Sequence, residues 1–182
     1  MSFAAHADTL SQNVDGTGLL PEAVYGGQSF TMGGNGTYSN ISFNFYTAGM
    51  TPYAAGKGYL FSTMYTGSAL NLGASDAGYL GETTASGGFY QFGPQVSLTA
   101  GQTYYFYENA LLELGAISGA NEIAGGNFFY AQADGWNYTL HGLSANFTVK
   151  DGPAPAPEPS TFALLGTGLL SVAGVLRRRM RA

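Results

Sequence analysis

The sequence predicts an all-β body, an antiparallel β-sandwich or jelly roll, followed by a proline-rich linker and a single C-terminal hydrophobic helix. Apolar and polar residues alternate in many short segments, which is the period of half-buried strands. Glycine-rich clusters separate these segments, as turns separate antiparallel strands. No long helical period interrupts the alternation before the C-terminal tail. The predicted body, residues 8–150, has the size of one such domain.

The N-terminus precedes this body with the sequence MSFAAHA. Ala5-His6-Ala7 before Asp8 fits the small-x-small cleavage site of a secretory signal peptide, although the basic and apolar regions of such a signal are not in front of it. We therefore expect residues 1–7 to be a signal-peptide remnant. The alternative is an ordinary frayed terminus.

The strand pattern is clearest from Ile41 to Tyr46, where Ile41, Phe43 and Phe45 share one face of a strand. A hairpin with its tight turn at Ala100-Gly101 is predicted over residues 96–107. This hairpin resembles one that is common in bacterial extracellular β-sandwich modules. A short helix is the expectation for 110–123. Further strands are predicted at 29–32, 58–65, 88–92, 103–108, 127–131, 136–141 and 145–150.

Charge is scarce and unevenly placed along the 182 residues. Only 9% of the chain is charged and the formal net charge is −5, which argues against a nucleic-acid binder, because such a protein needs clustered lysines and arginines. Residues 1–156 hold ten carboxylates and two lysines, a net charge of −8, whereas the last 26 residues carry +3. The absence of cysteine excludes a disulfide scaffold, a thiolate zinc site and a cysteine nucleophile.

The C-terminal tail has three parts. Residues 151–161 contain prolines at alternate positions, which predicts an extended linker. Residues 162–176 lack any charge, and as a helix they span about 22 Å of the roughly 30 Å hydrocarbon core. Because arginines follow at once, we predict a transmembrane helix with a basic cytoplasmic tail at 177–182. A buried core helix is the alternative.

The tail also resembles a known signal. Its parts are Pro157, Glu158, Pro159 and Ser160, then the apolar segment, then Arg177, Arg178, Arg179 and Arg181. In this order they are similar to the PEP-CTERM sorting signal of exported proteins in Gram-negative bacteria that make extracellular polysaccharide. The resemblance implies recognition by an exosortase, a membrane-embedded protease that cleaves near the Pro-Glu-Pro motif. It further implies a transient inner-membrane stage and a final place at the cell surface or in the matrix.

Few residues of the body suggest catalysis. Asp134, His141 and Ser144 are near one another in sequence, but no nucleophile-elbow pattern surrounds Ser144. Glu108 and Glu113 are the pair that a glycosidase would use, and ordinary surface carboxylates are the favoured explanation. We predict no enzyme and no cofactor. Calcium is the one metal that the oxygen-rich composition permits, and no ligands are assigned to it.

Aromatic residues give the remaining candidate site. Trp136, Tyr130 and Tyr138 cluster around the Asp134-Gly135 turn, and exposed aromatic faces stack on sugar rings. Burial in the core is the favoured alternative for Trp136, since a sole tryptophan is more often buried than displayed.

Together these features predict a non-enzymatic, exported protein of the envelope, extracellular matrix or biofilm with a structural or adhesive body. A carbohydrate-binding module for exopolysaccharide is the first alternative, and a secreted hydrolase is the second. The expected partners are the exosortase, the membrane before processing and extracellular polysaccharide, with no nucleic acid.

Overall fold

The computed structural model of the chain describes residues 8–16, 18, 24–112 and 126–152. Within these ranges there is no α-helix, and the one 3-10 helix is Ala69–Asn71. The strands are β1 Thr9–Asn13, β2 Val24–Thr31, β3 Thr37–Ser39, β4 Ile41–Tyr46, β5 Pro52–Tyr53, β6 Lys57–Phe61, β7 Tyr79–Ser86, β8 Phe89–Gln91, β9 Ser97–Thr99, β10 Thr103–Leu112, β11 Phe128–Ala131, β12 Thr139–Leu140 and β13 Phe147–Asp151.

Every strand pair in this part of the chain is antiparallel, which confirms the predicted all-β class. The main sheet has the order β1-β13-β4-β8-β7-β6-β10-β2-β11-β12, with β5 beside β4, and β3 pairs with β9 separately. Strand β7 joins the two halves of this order: the first half is β1-β13-β4-β8, and the second half is β6-β10-β2-β11-β12. Its first six residues lie along β6, and its last two, Ala85 and Ser86, pair with β8.

Phenylalanines from the two halves face each other and form the core. The ring of Phe43 on β4 stacks on that of Phe106 on β10 with centroids 3.9 Å apart, and Phe147 on β13 lies 6.2 Å from Phe30 on β2. All four side chains are fully buried, and burial of such a ring stabilises the fold by about 1.5–3 kcal/mol. The halves are therefore packed face to face, in a sandwich-like arrangement.

The strands at the centre of the second half are apolar on both faces. Phe106 lies in the main core, whereas its neighbour Tyr107 belongs to a second buried cluster with Phe61, Phe129 and Tyr138. Successive side chains of a strand point to opposite faces, so this cluster lies outside the sandwich core. The 3-10 helix contributes Ala69 to it, and the segment between β6 and β7 thus covers the outer face of the sheet.

Most of the predicted strands are confirmed, with shifted bounds. The hairpin predicted over residues 96–107 is wrong, because β9 and β10 flank the turn at Ala100-Gly101 without pairing: β9 pairs with β3, and β10 pairs with β2 and β6. The inward face of residues 41–46 is as expected, since Ile41, Phe43 and Phe45 are fully buried. Strands β1, β3, β5 and β7 were not predicted. Strands β3 and β5 have only three and two residues, and in β1 and β7 most side chains are polar or small, so that the apolar alternation on which the prediction depends is weak there. Residues 110–112 extend strand β10, where the start of a short helix was expected.

The remaining sequence predictions fall mostly outside the described ranges. They are the signal remnant at 1–7, the linker beyond Gly152, the hydrophobic helix at 162–176 and the basic tail at 177–182. In the ranges that are described, no helix is both long and apolar enough to cross a membrane.

Candidate functional site

A groove of about 240 Å³ lies beside Trp136 at the β11–β12 edge of the sheet. Its lining is uncharged and combines aromatic, amide and hydroxyl groups. The indole of Trp136 is 70% exposed, the highest exposed fraction among the large apolar side chains of the described residues. The lining residues are Tyr130, Gln132, Trp136, Asn137 and Thr139.

A tight turn places Trp136 at the surface. The N–H of Gly135 donates to the carbonyl of Gln132 at 2.9 Å, and the N–H of Trp136 donates to Asp134 Oδ1 at 3.3 Å. Gly135 has a φ of +78°, which favours glycine, and a Cβ at this position would lie 2.5 Å from a methyl carbon of Leu70. The conformation of the turn therefore depends on this glycine, whereas the exposed side chain of Leu70 would have to move to accommodate a Cβ.

The backbone on either side of Trp136 is fastened to the segment that precedes the 3-10 helix. Ser68 donates its hydroxyl proton to the carbonyl of Gly135, and Ser68 and Asn137 form a β-bridge. One residue further on, the N–H of Tyr138 donates to the carbonyl of Gly67 at 3.0 Å. Because these bonds hold the backbone before and after it, the indole is displayed from a fixed position.

Tyr130 and Thr139 lie directly opposite each other on β11 and β12. The hydroxyl of Thr139 donates to the carbonyl of Tyr130 at 3.3 Å. Tyr130 is half-buried against the main core, and its ring centroid lies 5.2 Å from that of His141. These two strands give the groove a rigid side.

The three aromatic residues of the sequence prediction take different positions. Trp136 and Tyr130 line the groove, but Tyr138 is only 3% exposed. Its ring packs 4.7 Å from that of Tyr107, and its hydroxyl donates to the carbonyl of Glu108. Burial and the neighbouring Glu108 raise the pKa of this hydroxyl well above its usual range. Tyr138 therefore does not reach a ligand at the surface.

The expectation that Trp136 is buried in the core is wrong. The outer cluster takes Tyr138 instead, and the turn that ends at Gly135 leaves Trp136 outside it. The groove also contains Gln132, Asn137 and Thr139, which were not among the predicted site residues. No local pattern distinguishes these three from other polar residues near turns.

The expectation that Glu108 is a surface carboxylate is also wrong, because its side chain is fully buried. Pairing between β10 and β2 shifts register from Tyr107–Gly27 to Leu111–Tyr25, so three residues of β10 face only Gly26. At this bulge Glu108 Oε1 accepts the N–H of Gly26 at 3.1 Å. The carboxyl group thus supplies the acceptor for that N–H where the regular ladder is interrupted.

Geometry and burial both favour the neutral acid for Glu108. The single hydroxyl of Tyr90 lies 2.7 Å from Glu108 Oε2 and 2.6 Å from the carbonyl of Ala55, and it also accepts the Ala55 N–H at 2.9 Å. Both O···O distances are those of hydrogen bonds, and one hydroxyl has one proton. A proton on Glu108 satisfies all of these contacts. In agreement, burial raises the pKa of Glu108 well above its usual range.

Asp134 and Ser144, which were also considered for catalysis, bond to backbone groups, and the ring of His141 lies beside those of Phe128 and Tyr130. Ser144 is fully buried and donates to the carbonyl of Gly126 at 3.1 Å, whereas Asp134 is exposed and accepts the N–H of Trp136. Glu113 lies outside the described residues. Within the described ranges, no group of three His, Asp or Glu side chains is arranged to hold a metal ion, and calcium binding stays a prediction.

Comparison with known proteins identifies the C-terminal tail. Residues 155–179 match the PEP-CTERM protein-sorting motif, which confirms the resemblance seen at Pro157, Glu158 and Pro159. The chain therefore carries a sorting signal that implies export by way of a membrane-anchored stage and processing by an exosortase, a membrane protease. No curated protein and no solved structure matches the chain.

Proposed function

We propose that this exported chain is a non-catalytic, adhesive component of the envelope or extracellular matrix, and that its β-sandwich body binds polysaccharide in the groove beside Trp136. The single observation that carries this proposal is the exposure of Trp136 on a backbone that is fixed on both sides. An indole that serves only packing would be covered, because its exposure leaves a large apolar area in water.

The composition of the groove fits a sugar. One face of a pyranose ring presents C–H groups, and its rim presents hydroxyl groups that both donate and accept. The indole of Trp136 offers an apolar plane to the first, and the amides of Gln132 and Asn137 offer donors and acceptors to the second. Sites of this kind combine a mainly apolar or aromatic surface with a few placed polar groups.

The expected affinity is modest. Covering about 100 Å² of apolar area contributes about 2.5 kcal/mol at 25 cal/mol per Å², and part of this gain is lost to the ordering of the ligand. A single groove is therefore a weak site, and strong attachment requires many copies on one polymer. This is the behaviour that an adhesive matrix protein requires.

The hydrolase alternative has less support. Glu108 is enclosed in the core, where its oxygens contact Gly26 and Tyr90. A glycosidase instead needs two carboxyl groups on either side of the scissile bond. A purely structural role without any ligand would leave the fixed display of Trp136 without an explanation.

The test is retention of the full-length chain by gels that contain polysaccharide from a bacterium that makes it. Trp136→Ala is compared with Leu140→Ala, a matched control that also removes an exposed apolar side chain, 59% exposed on β12. Leu140 follows Thr139 in the strand and so points to the opposite face. We expect Trp136→Ala to weaken retention at least about tenfold and Leu140→Ala to leave it unchanged. Equal retention of both variants and the wild type would contradict the proposal.

A further inference from the structure

The charges around the groove suggest which polysaccharides it accepts. None of its lining residues is a lysine, an arginine or a histidine. The exposed carboxylate of Asp134 lies beside it and is bonded to the backbone of Trp136. A uronate, sulfate or phosphate group that enters this groove would lose water without gaining a cationic partner.

The two cations of the described residues lie elsewhere. Lys57 on β6 forms an ion pair with Glu82 at 2.6 Å, and Lys150 is on β13, in the half of the sheet order that does not contain β11 and β12. Over residues 1–156 the sequence has a net charge of −8. The body as a whole is therefore acidic, and next to the groove itself the exposed carboxylate of Asp134 disfavours the approach of a polyanion.

The size of the groove points to one sugar ring at a time. Its volume of about 240 Å³ is below the roughly 300–1,000 Å³ of sites that enclose a drug-sized ligand. Of the two aromatic residues that line it, Trp136 is exposed and Tyr130 is half-buried. The site therefore contacts a single unit and tolerates variation in the rest of the polymer.

On the basis of the proposed function, we infer that the groove beside Trp136 is selective for uncharged hexose units and excludes acidic polysaccharides. Hydroxyl groups match its amide and hydroxyl lining, since both kinds of group donate and accept hydrogen bonds. Selection thus comes from the lack of a cation in the lining together with the repulsion by Asp134.

The experiment uses alginate, a polymer of uronic acid units, and the same alginate after chemical reduction of its carboxyl groups to hydroxymethyl groups. The two polymers have the same linkages and differ in one group per ring, a charged carboxylate in the first and an uncharged hydroxymethyl group in the second. Binding of the full-length chain is measured by titration calorimetry at about 0.15 M salt, where charges are screened beyond about 8 Å. A slightly alkaline buffer keeps imidazole groups neutral, and the detergent has no sugar headgroup that would compete.

We expect the reduced polymer to bind at least about tenfold more tightly than alginate, and Trp136→Ala to abolish this binding. Asp134→Asn keeps the acceptor for the N–H of Trp136 but removes the charge. It should improve binding of alginate severalfold and leave binding of the reduced polymer unchanged.

The outcomes separate the inference from the proposed function. If alginate binds as tightly as its reduced form and Trp136→Ala weakens both, the inference is wrong and the proposed function stands. If neither of these polymers nor the bacterial polysaccharide of the retention test binds to the wild-type chain, the proposed function fails together with the inference.

Discussion

Replacement of Glu108 by glutamine is predicted to stabilise the protein near neutral pH and to remove part of its pH dependence. The glutamine oxygen still accepts the Gly26 N–H, which lies 3.1 Å from Glu108 Oε1. Its NH₂ group donates to the Tyr90 hydroxyl in place of the acid proton, and Tyr90 then donates to the carbonyl of Ala55. The variant thus reproduces the hydrogen bonds of the neutral acid without a group that ionises.

The sign and the size of the effect follow from the linkage of folding to protonation. Burial raises the pKa of Glu108 well above its ordinary value of 4.5, so the unfolded chain loses this proton at a lower pH than the folded chain. The stability that the neutral acid provides is complete below about pH 4.5. It is lost as the pH rises through the range between the unfolded and the folded pKa, by about 1.4 kcal/mol for each pH unit. The glutamine variant lacks this loss.

The assay is urea unfolding of the wild type and of Glu108→Gln at about pH 5, 6 and 7, extrapolated to water. The difference between the two free energies of unfolding should grow with pH in favour of the variant, by about 1.4 kcal/mol for each unit at those pH values that lie between the unfolded and the folded pKa. Glu82→Gln serves as a control, because Glu82 is at the surface in an ion pair with Lys57, and such pairs contribute little.

Two results would refute this reasoning. Equal pH slopes for the wild type and Glu108→Gln would show that Glu108 does not take up a proton on folding. A variant that is less stable by several kcal/mol at about pH 7 would show an ionised carboxylate in the fold, since its charge-assisted hydrogen bonds would then be lost.

Two further predictions concern the groove and the tail. Gly135→Ala should lower the free energy of unfolding by about 1–3 kcal/mol and also weaken polysaccharide retention, because alanine is strained at a backbone φ of +78° and the turn displays Trp136. Gly101→Ala is the control, since Gly101 has the same φ but does not line the groove. It should lose a similar amount of stability and keep normal retention, and equally weakened retention of the two variants would contradict this account. Replacement of residues 157–159 by alanines should block maturation in the native host, measured by the mass of the mature protein. The control is Pro153→Ala, which lies outside the matched motif and should mature normally. Normal maturation of the triple variant would argue against exosortase recognition of this motif.

Strand periodicity predicted much of the fold because the strands of the core alternate. Ile41, Phe43 and Phe45 followed this rule and are buried. Strand β7 was not predicted because it carries few apolar side chains. Its position in the sheet is set by its pairing with β6 and β8. The candidate site was predicted only in part, since Trp136 and Tyr130 were selected together with Tyr138, which is buried.

The sorting signal was determined by the sequence alone. Its parts are a short motif, an apolar segment and a basic end, and their order along the chain is what the resemblance depends on. No contact between distant residues is needed to recognise such a signal. The sequence alone was therefore sufficient to identify it.

Only the tertiary structure decided which polar and aromatic residues are exposed. Alternation assigns side chains to two faces of a strand but does not reveal whether something covers the outer face. Here the segment between β6 and β7 covers it, so that Tyr138 is buried while Trp136 stays at the surface. Glu108 is buried for a different reason: it lies at the register shift opposite Gly26, which local alternation does not predict. Both outcomes depend on contacts between residues far apart in the chain, which a local pattern does not contain.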